Sequence, residues 1–287
     1  MHAEAYEGQQ SITARILVLI DGSPEAMGVL EAAIGLAHRQ QASVRAVFVE
    51  EIDLVRSAGF PFATEIGAMS GCIRPRPCDQ LSGELRRRAR RVGLALGRMA
   101  TASGVVHELV VRRGRVVPET LMLASPDDLL MVGRVGWSQR LGRHFGSVPL
   151  ALARGAHGAV LIWSSGADAL NGLVAVLVEG GAMLDDAVKW AQERALDRHA
   201  GVSVLLFPQP SAAQRGELER SIAAGFEGSA VPFETRELSA GNAASLLHAL
   251  GQAGAVELVL SRRGKFLSDP AGVRLLERIQ LPVCVVP

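Results

Sequence analysis

The sequence lacks an excess of charge of either sign. Its 287 residues include 30 Lys and Arg against 29 Asp and Glu, which gives a formal net charge of +1. Domains that bind nucleic acid through a basic surface are strongly positive, so this balance argues against that class of protein. An arginine-rich run at residues 86–91 falls on a predicted long helix with apolar residues on its other face, and we interpret it as a solvated helix face.

Cysteines and long apolar runs are also scarce. Cys72, Cys78 and Cys284 are too few for a disulfide framework, and no histidine lies near them in the sequence to complete a set of metal ligands. No apolar run approaches the roughly 20 residues of a membrane helix. The N-terminal residues have no apolar core of the kind found in signal peptides. We expect a soluble, cytoplasmic protein with no metal site and no membrane partner.

Motifs of several enzyme classes are absent as well. The sequence contains no P-loop of the form GxxxxGK[ST], no SGGxDS loop typical of ATP pyrophosphatases and no GxSxG nucleophile elbow. No other pattern positions a water molecule for attack on a phosphate. We therefore predict no catalytic residues.

What the sequence does contain is one pattern that occurs twice. Apolar residues make up 48% of the chain, and buried-strand patterns alternate with helical patterns throughout. We predict a first domain over residues 12–163 (the first half), a flexible linker over 164–171 and a second domain over 172–287 (the second half). Strands are predicted over 15–20, 43–49, 106–111, 128–132 and 159–163, and again over 173–178, 202–207, 233–238, 256–260 and 282–286. Residues 51–80, rich in Gly and Pro, are predicted to form a long irregular loop with a helical turn near 53–57.

The strand–helix alternation predicts the fold class. It implies parallel strand pairs joined by right-handed crossovers. We predict an α/β fold with two tandem five-stranded parallel sheets, each covered by helices and each with strand order 3-2-1-4-5. In such a sheet ligands bind at the carboxyl ends of the strands where the winding direction reverses, between the first and fourth strands.

In the first half, residues suited to a phosphate chain follow these two strands. Asp21 follows the first strand, and the fourth is followed by Gly133, two residues, Gly136, nine residues and Gly146-Ser147. Glycine lets the backbone approach a ligand closely. A helix that starts at Gly146 directs free N–H groups and the positive end of its dipole at a bound anion. The intervening loop holds Trp137, interpreted as loop packing, and His144, interpreted as an exposed loop residue.

On these residues the sequence resembles the universal stress proteins in their tandem two-domain form. The resemblance implies a Rossmann-like fold of the adenine nucleotide alpha-hydrolase type, with ATP, alone or with Mg²⁺, as the ligand. It implies that Gly133 and Gly136 approach ribose and phosphates, that the backbone of Val49 meets adenine, and that Asp21 lies near the nucleoside or a divalent cation. The nucleotide-binding set implied is Asp21, Gly22, Ser23, Val49, Val132, Gly133, Arg134, Gly136, Gly146, Ser147 and Val148. The family more often has a small or polar residue at the position of Arg134, whose side chain would here clamp a phosphate or narrow the pocket.

The second half departs from the family's pattern. Its first strand ends in Glu179-Gly180-Gly181, and its fourth is followed by no Gly-Ser at the expected distance. Asp269 would place a negative charge where phosphates would lie. We expect this half not to bind ATP but to pair with the first half as a pseudo-dimer. The family's habits are also compatible with a homodimer of chains.

Three functions stay open at the level of sequence. In the first, the protein binds ATP and acts in a stress response as a sensor or regulator that contacts an unidentified protein. In the second, it is a slow ATPase or a self-phosphorylating enzyme that uses Ser147 or a nearby hydroxyl. In the third, Arg134 occludes the pocket and the protein is a structural adaptor that binds no nucleotide.

Overall fold

The computed structural model describes residues 15–60, 64–66, 70–75, 78–134, 146–164, 171–180 and 184–287. The elements of the first half are β1 (Arg15–Leu19), α1 (Pro24–Gln40), β2 (Ser43–Glu51), α2 (Ile52–Ala58), β3 (Thr64–Ile66), β4 (Ile73–Pro75), α3 (Cys78–Ala102), β5 (His107–Gly114), α4 (Val116–Leu123), β6 (Asp128–Gly133), α5 (Ser147–Gly155) and β7 (Ala159–Trp163). The elements of the second half are β8 (Leu173–Val178), α6 (Leu184–Asp197), β9 (Val202–Leu206), α7 (Ala212–Gly225), β10 (Phe233–Glu237), α8 (Ala243–Gln252), β11 (Ala255–Ser261), α9 (Lys265–Ser268), α10 (Pro270–Arg278) and β12 (Val283–Val286).

Ten of these strands form one continuous sheet. Their order is β10-β9-β8-β11-β12-β7-β6-β1-β2-β5. Within each half every neighbouring pair is parallel and the order is 3-2-1-4-5, which confirms the predicted fold class. The halves meet at their fifth strands, where β12 pairs antiparallel with β7. An antiparallel pair of equivalent strands relates the two halves by a pseudo-twofold axis.

Helices cover both faces of the sheet and create two apolar layers. One layer packs α1 and α3 together with α6 and α7 against one face, and the other packs α4 and α5 together with α8 and α10 against the opposite face. Both layers run across the junction between the halves. The central strands β6, β7, β8 and β11 are accordingly buried along almost their whole length, as continuous apolar runs in a covered parallel sheet should be.

Local signals position the first helix. The Ser23 Oγ accepts a hydrogen bond from the Ala26 N–H at 3.1 Å, and Pro24 occupies the first helical position, where it has no hydrogen bond to lose. The helix ends where Gln41 adopts a left-handed conformation with φ 53°. The start of α1 is thereby fixed next to the carboxyl end of β1.

Two predicted details need correction. The loop at residues 51–80 does contain the expected helical segment, α2, but it also contains a short antiparallel hairpin, β3–β4. Its strands are three residues long, too short to show the alternation that reveals a strand in a sequence. The second half contains an additional four-residue helix, α9, before α10.

The arginine run lies on α3 as predicted. Leu85, Ala89, Val92 and Leu96 are buried, whereas Arg86, Arg87, Arg90 and Arg91 are exposed. Within the described residues, no helix combines the length and the apolar character needed to span a membrane.

Candidate functional site

A cavity of about 330 Å³ opens at the carboxyl ends of the strands in the first half. Its volume lies within the range of pockets that hold small molecules. It lies where β1 and β6 are neighbours and the winding of the sheet reverses, as expected for a ligand site in this fold. The lining residues are Leu19, Ile20, Asp21, Ala26, Phe48, Val49, Glu51, Leu54, Leu85, Val116, Val132, Gly133, Gly146, Ser147, Val148 and Pro149.

The structure brings seven of the predicted nucleotide-binding residues together around this cavity. They are Asp21, Val49, Val132, Gly133, Gly146, Ser147 and Val148. Gly22, Ser23 and Arg134 do not line it. Gly136 lies outside the described residues, as do Trp137 and His144.

The segment after β1 divides into one residue that faces the cavity and two that shape the turn. The Asp21 Oδ1 accepts a hydrogen bond from the Ser23 N–H at 2.9 Å, which holds the carboxylate beside the start of α1. Gly22 has φ +74°, a conformation that favours glycine, and its open side faces α3, where the Arg88 Cβ would be 3.4 Å from an added Cβ. Ser23 is buried as the cap of α1. Gly22 and Ser23 thus hold the turn rather than the cavity wall.

The start of α5 forms another part of the cavity wall. Gly146 is its N-cap and supplies no side chain to the first N–H groups of the helix. Such groups at a helix start carry partial positive charge and lack partners within the helix. Because Gly146, Ser147 and Val148 all line the cavity, this end of the cavity is suited to an anion.

Glu51 is a cavity residue that the sequence analysis missed. Its Oε2 accepts a hydrogen bond from the Val116 N–H at 3.2 Å, and its Oε1 accepts one from the Asp53 N–H at 3.5 Å. The carboxylate therefore holds the starts of α2 and α4 together beside the cavity. The alternation of side chains along β2 contains the signal, because Glu51 lies two residues after Val49 and so shares its face.

Two carboxylates and an apolar wall define the electrostatics. Asp21 and Glu51 are the ionisable residues of the described lining, which includes no Lys, Arg or His. Phe48, Leu54 and Leu85 supply much of the apolar surface. Positive potential for an anion must therefore come from backbone N–H groups or from a cation that the anion carries. The described residues include no group of three or more His, Cys, Asp and Glu side chains arranged to hold a metal ion by itself.

The side chain of Arg134 is directed away from the cavity, which corrects the expectation that it clamps a phosphate or narrows the pocket. It is only 8% exposed. Its guanidinium donates hydrogen bonds to the Leu276 carbonyl and, at 2.8 Å, to the Glu277 carbonyl in α10 of the second half. The preference of a buried guanidinium for the carbonyls at a helix end explains this direction.

The register of the sheet matches positions between the two halves. Arg134 and Arg262 occupy equivalent places, because their N–H groups donate to the last residues of β7 and β12. Counting back along β6 and β11 to their partners β1 and β8 makes Glu179 the equivalent of Asp21. The same counting through β2 and β9 makes Phe207 the equivalent of Val49.

In the second half, larger side chains stand at the positions equivalent to Asp21 and Val49. The Glu179 Oε1 accepts a hydrogen bond from the Phe266 N–H at 3.2 Å, at the start of α9. Burial raises the pKa of Glu179, although the backbone N–H groups of Phe266 and Lys265 act against that rise. The larger Phe207 packs close to Gly241, where an added Cβ would lie 2.9 Å from its ring.

Asp269 stands where a negative charge was expected, because α10 and α5 are both nine residues long and end eight residues before the last residue of β12 and β7, which makes Asp269 the equivalent of Gly146. The Asp269 Oδ1 accepts a hydrogen bond from the Ala271 N–H at 2.9 Å and caps α10. A carboxylate therefore caps the helix start that corresponds to the anion end of the cavity in the first half.

These features define a doubly wound α/β protein with a ligand-sized cavity at the switch point of one of two equivalent halves. A model of the universal stress protein family matches residues 13–163. The chain belongs to the universal stress protein family.

Solved structures share the fold over nearly the whole chain. A universal stress protein from Archaeoglobus fulgidus, 16% identical, has a TM-score of 0.69 and is covered over 97% of its length by 96% of this chain. A functionally unknown protein from Pseudomonas aeruginosa PAO1, 14% identical, has a TM-score of 0.58 over 96% of this chain and 92% of that protein. No curated protein sequence gives a significant match. At these identities the likeness concerns the fold alone.

Proposed function

We propose that the first half binds an adenine nucleotide, ATP, in the cavity between β1 and β6. The observation that carries this proposal is the joint placement of Gly133 and the glycine-capped start of α5 on the cavity wall, at the switch point of the sheet. These are the features that receive a phosphate chain in doubly wound proteins. Membership of the universal stress protein family favours the same ligand.

The residues that line the cavity also suggest an orientation for the ligand. The phosphates lie against Gly133 and the N–H groups of Ser147 and Val148, and the base lies toward Val49 in the apolar part of the cavity. Because Asp21 and Glu51 are acidic and no Lys, Arg or His belongs to the described lining, a triphosphate is expected to bind with Mg²⁺. When bound, Mg²⁺ would neutralise phosphate charge, and Asp21, which follows β1 and lines the cavity, is the carboxylate proposed to lie near it.

The biological role we propose is that of a stress-response regulator whose nucleotide state is recognised by another protein. The second half acts as a docked partner that binds no nucleotide. This is supported by the larger Glu179 and Phe207 at the positions of Asp21 and Val49, and by the carboxylate of Asp269 at the start of α10. This division assigns the domain at residues 12–163 to the ligand and the domain at 172–287 to pairing.

The test is a pair of substitutions at Ser147, which is exposed at the first position of α5. Ser147→Asp places a carboxylate where the phosphates are proposed to bind, but an acidic residue in the first helical turn does not weaken the helix. We expect Mg-ATP affinity, measured by isothermal titration calorimetry, to fall by at least about tenfold, equivalent to about 1.4 kcal/mol. Ser147→Asn, similar in size and neutral, should retain most of the affinity.

Two further results decide between the open functions. Freshly purified protein should release ATP on denaturation, and mass spectrometry should find no more than one molecule per chain. Equal affinities in Ser147→Asp, Ser147→Asn and the unmodified chain would contradict this site. Phosphate on Ser147 after incubation with Mg-ATP, absent from Ser147→Ala, would instead support the self-phosphorylating enzyme, for which the exposed hydroxyl beside the cavity is the favouring observation.

A further inference from the structure

Arg134 connects the proposed nucleotide site to the second half of the chain. It directly follows Gly133, which lines the cavity. Its backbone carbonyl accepts a hydrogen bond from the Gly146 N–H at 3.1 Å, and its own N–H donates to the Trp163 carbonyl at 3.1 Å. The residue thus fixes the distance between the end of β6 and the start of α5, which are the two walls proposed to hold the phosphates.

The side chain of the same residue leaves the first half. Its two hydrogen bonds to the Leu276 and Glu277 carbonyls fall in the last turn of α10, a nine-residue helix ending at Arg278. Carbonyls in the last turn of a helix lack partners within it and carry partial negative charge, so a guanidinium is a favourable partner. A buried guanidinium that lost these acceptors would be left poorly solvated, which makes the connection sensitive to small displacements.

We propose that Arg134 is a positioning residue through which α10 of the second half sets the geometry of the nucleotide site in the first, so that nucleotide binding and the docking of α10 favour each other. This inference rests on the proposed function. Linkage makes the effect reciprocal: α10 in place favours binding, and bound nucleotide stabilises the docked end of α10. The stability of the last turn of α10 then depends on whether nucleotide is bound.

The pseudo-twofold arrangement supplies a matched control. Arg262, the equivalent of Arg134, reaches back into the first half and donates hydrogen bonds to the Ala153 carbonyl at 2.7 Å and the Gly158 carbonyl at 2.6 Å. These acceptors lie at the end of α5 remote from the cavity and in the turn that follows. The two arginines therefore make the same kind of contact between the halves, but only Arg134 adjoins the cavity.

The experiment compares Arg134→Met, Arg134→Lys and Arg262→Met with the unmodified full-length chain. Calorimetry gives the affinity for Mg-ATP, and hydrogen exchange followed by mass spectrometry gives the protection of residues 270–281 with and without saturating Mg-ATP. We expect Arg134→Met to weaken binding about five- to tenfold, at the lower end of typical coupling between sites. Arg134→Lys keeps the charge but only part of the hydrogen bonding, so its affinity for Mg-ATP should lie between those of Arg134→Met and the unmodified chain. Arg262→Met should lower thermal stability and change affinity less than about twofold.

Hydrogen exchange separates positioning from a general loss of stability. In the unmodified chain, Mg-ATP should slow exchange in residues 270–281, and in Arg134→Met the same saturation should leave exchange there unchanged. If the unmodified chain binds Mg-ATP without any change in residues 270–281, or if Arg134→Met and Arg262→Met weaken binding equally, the inference is overturned and the proposed function stands. If the unmodified chain binds no nucleotide, the proposed function itself fails.

Discussion

The two halves of this protein have the same strand order and the same sheet register, and in the first a ligand-sized cavity opens at the switch point. The halves differ at three equivalent places. Asp21 in the first half corresponds to Glu179, Val49 corresponds to Phe207, and the segment between Gly133 and Gly146 corresponds to the shorter one between Ser261 and Asp269. The fold provides the crevice, and a few side chains decide whether a ligand can enter it.

The acidic residues show how a small change has this effect. The Asp21 carboxylate turns back to the Ser23 N–H of its own segment. Glu179 is one methylene longer, and its carboxylate reaches the Phe266 N–H at the start of α9. In the second half the carboxylate at the position of Asp21 is therefore bonded to the backbone of α9, within the segment that leads from β11 to α10.

The largest expected effect tests a buried polar network at a place where the first half has an apolar residue. Glu257 in β11 is fully buried and bonded to Arg194 at 2.8 and 2.9 Å and to Arg198 at 3.2 Å, whereas the equivalent residue of β6 is Leu129. Glu257→Gln leaves these guanidinium groups without their shared counter-charge. We expect the free energy of unfolding in urea to fall by about 3–5 kcal/mol.

An exposed ion pair of the same half serves as the control. Glu237→Gln removes one of the two carboxylates paired with Arg215 at the surface and should cost less than about 1 kcal/mol. Burial by itself would raise the pKa of Glu257, but Arg194 and Arg198 hold that pKa below its usual range. Stability from this network is therefore present above the ordinary pKa of a glutamate and is lost as the pH falls through the lowered value. Equal losses in Glu237→Gln and Glu257→Gln would contradict the importance of burial here.

The sequence predicted most of the fold because the signals for it are local. Continuous apolar strands, the Ser23-Pro24 helix start and the strand–helix alternation are properties of short segments, and β7 and β8 have the predicted limits. The failures are of another kind. Arg134 bonds to a residue 142 positions away, and Glu179 to one 87 positions away. Where a long side chain goes depends on which distant backbone groups lack partners, and a segment read alone does not contain that information.

The candidate site was predictable where local signals mark it, but not where it depends on the direction that a turn gives to a side chain. Glycines and strand ends mark where the backbone can meet a ligand, and Gly133, Gly146 and Val49 do line the cavity. Gly22 and Ser23 follow the same strand end as Asp21, but the turn directs them to α3 and α1. Proximity in sequence to a site residue therefore did not make them part of the cavity wall.

A smaller effect tests this separation of roles within the segment after β1. Ser23→Ala removes the hydroxyl that accepts from the Ala26 N–H, and we expect it to lower the free energy of unfolding by about 1 kcal/mol. Because Ser23 does not line the cavity, the affinity for Mg-ATP should change less than about twofold. Ser23→Thr, which keeps a capping hydroxyl, is the control for stability. A large loss of affinity with little loss of stability would place Ser23 in the ligand site instead.

The smallest expected effect asks whether the second half can be opened. Glu179→Gln keeps an oxygen acceptor for the Phe266 N–H and removes the charge. Since burial raises the pKa of Glu179, its ionised form is less favourable in the folded state. The cost is absent below the ordinary pKa of a glutamate and appears as the pH rises through the raised value. We therefore expect Glu179→Gln to be slightly more stable than the unmodified chain at pH 8, with the difference disappearing near pH 4 in urea titrations.

Removing the charge of Glu179 should still not create a second nucleotide site. Phe207 remains at the position equivalent to Val49, so an aromatic ring still stands where the base is proposed to bind in the first half. Calorimetry of Glu179→Gln should therefore give the same stoichiometry for Mg-ATP as the unmodified chain. The control Glu179→Ala removes the acceptor as well as the charge and should lower stability at every pH. A second bound nucleotide in Glu179→Gln would show that the carboxylate alone closes this half. An unchanged stoichiometry, with the expected pH dependence, would show that the charge of Glu179 by itself does not keep nucleotide out of this half.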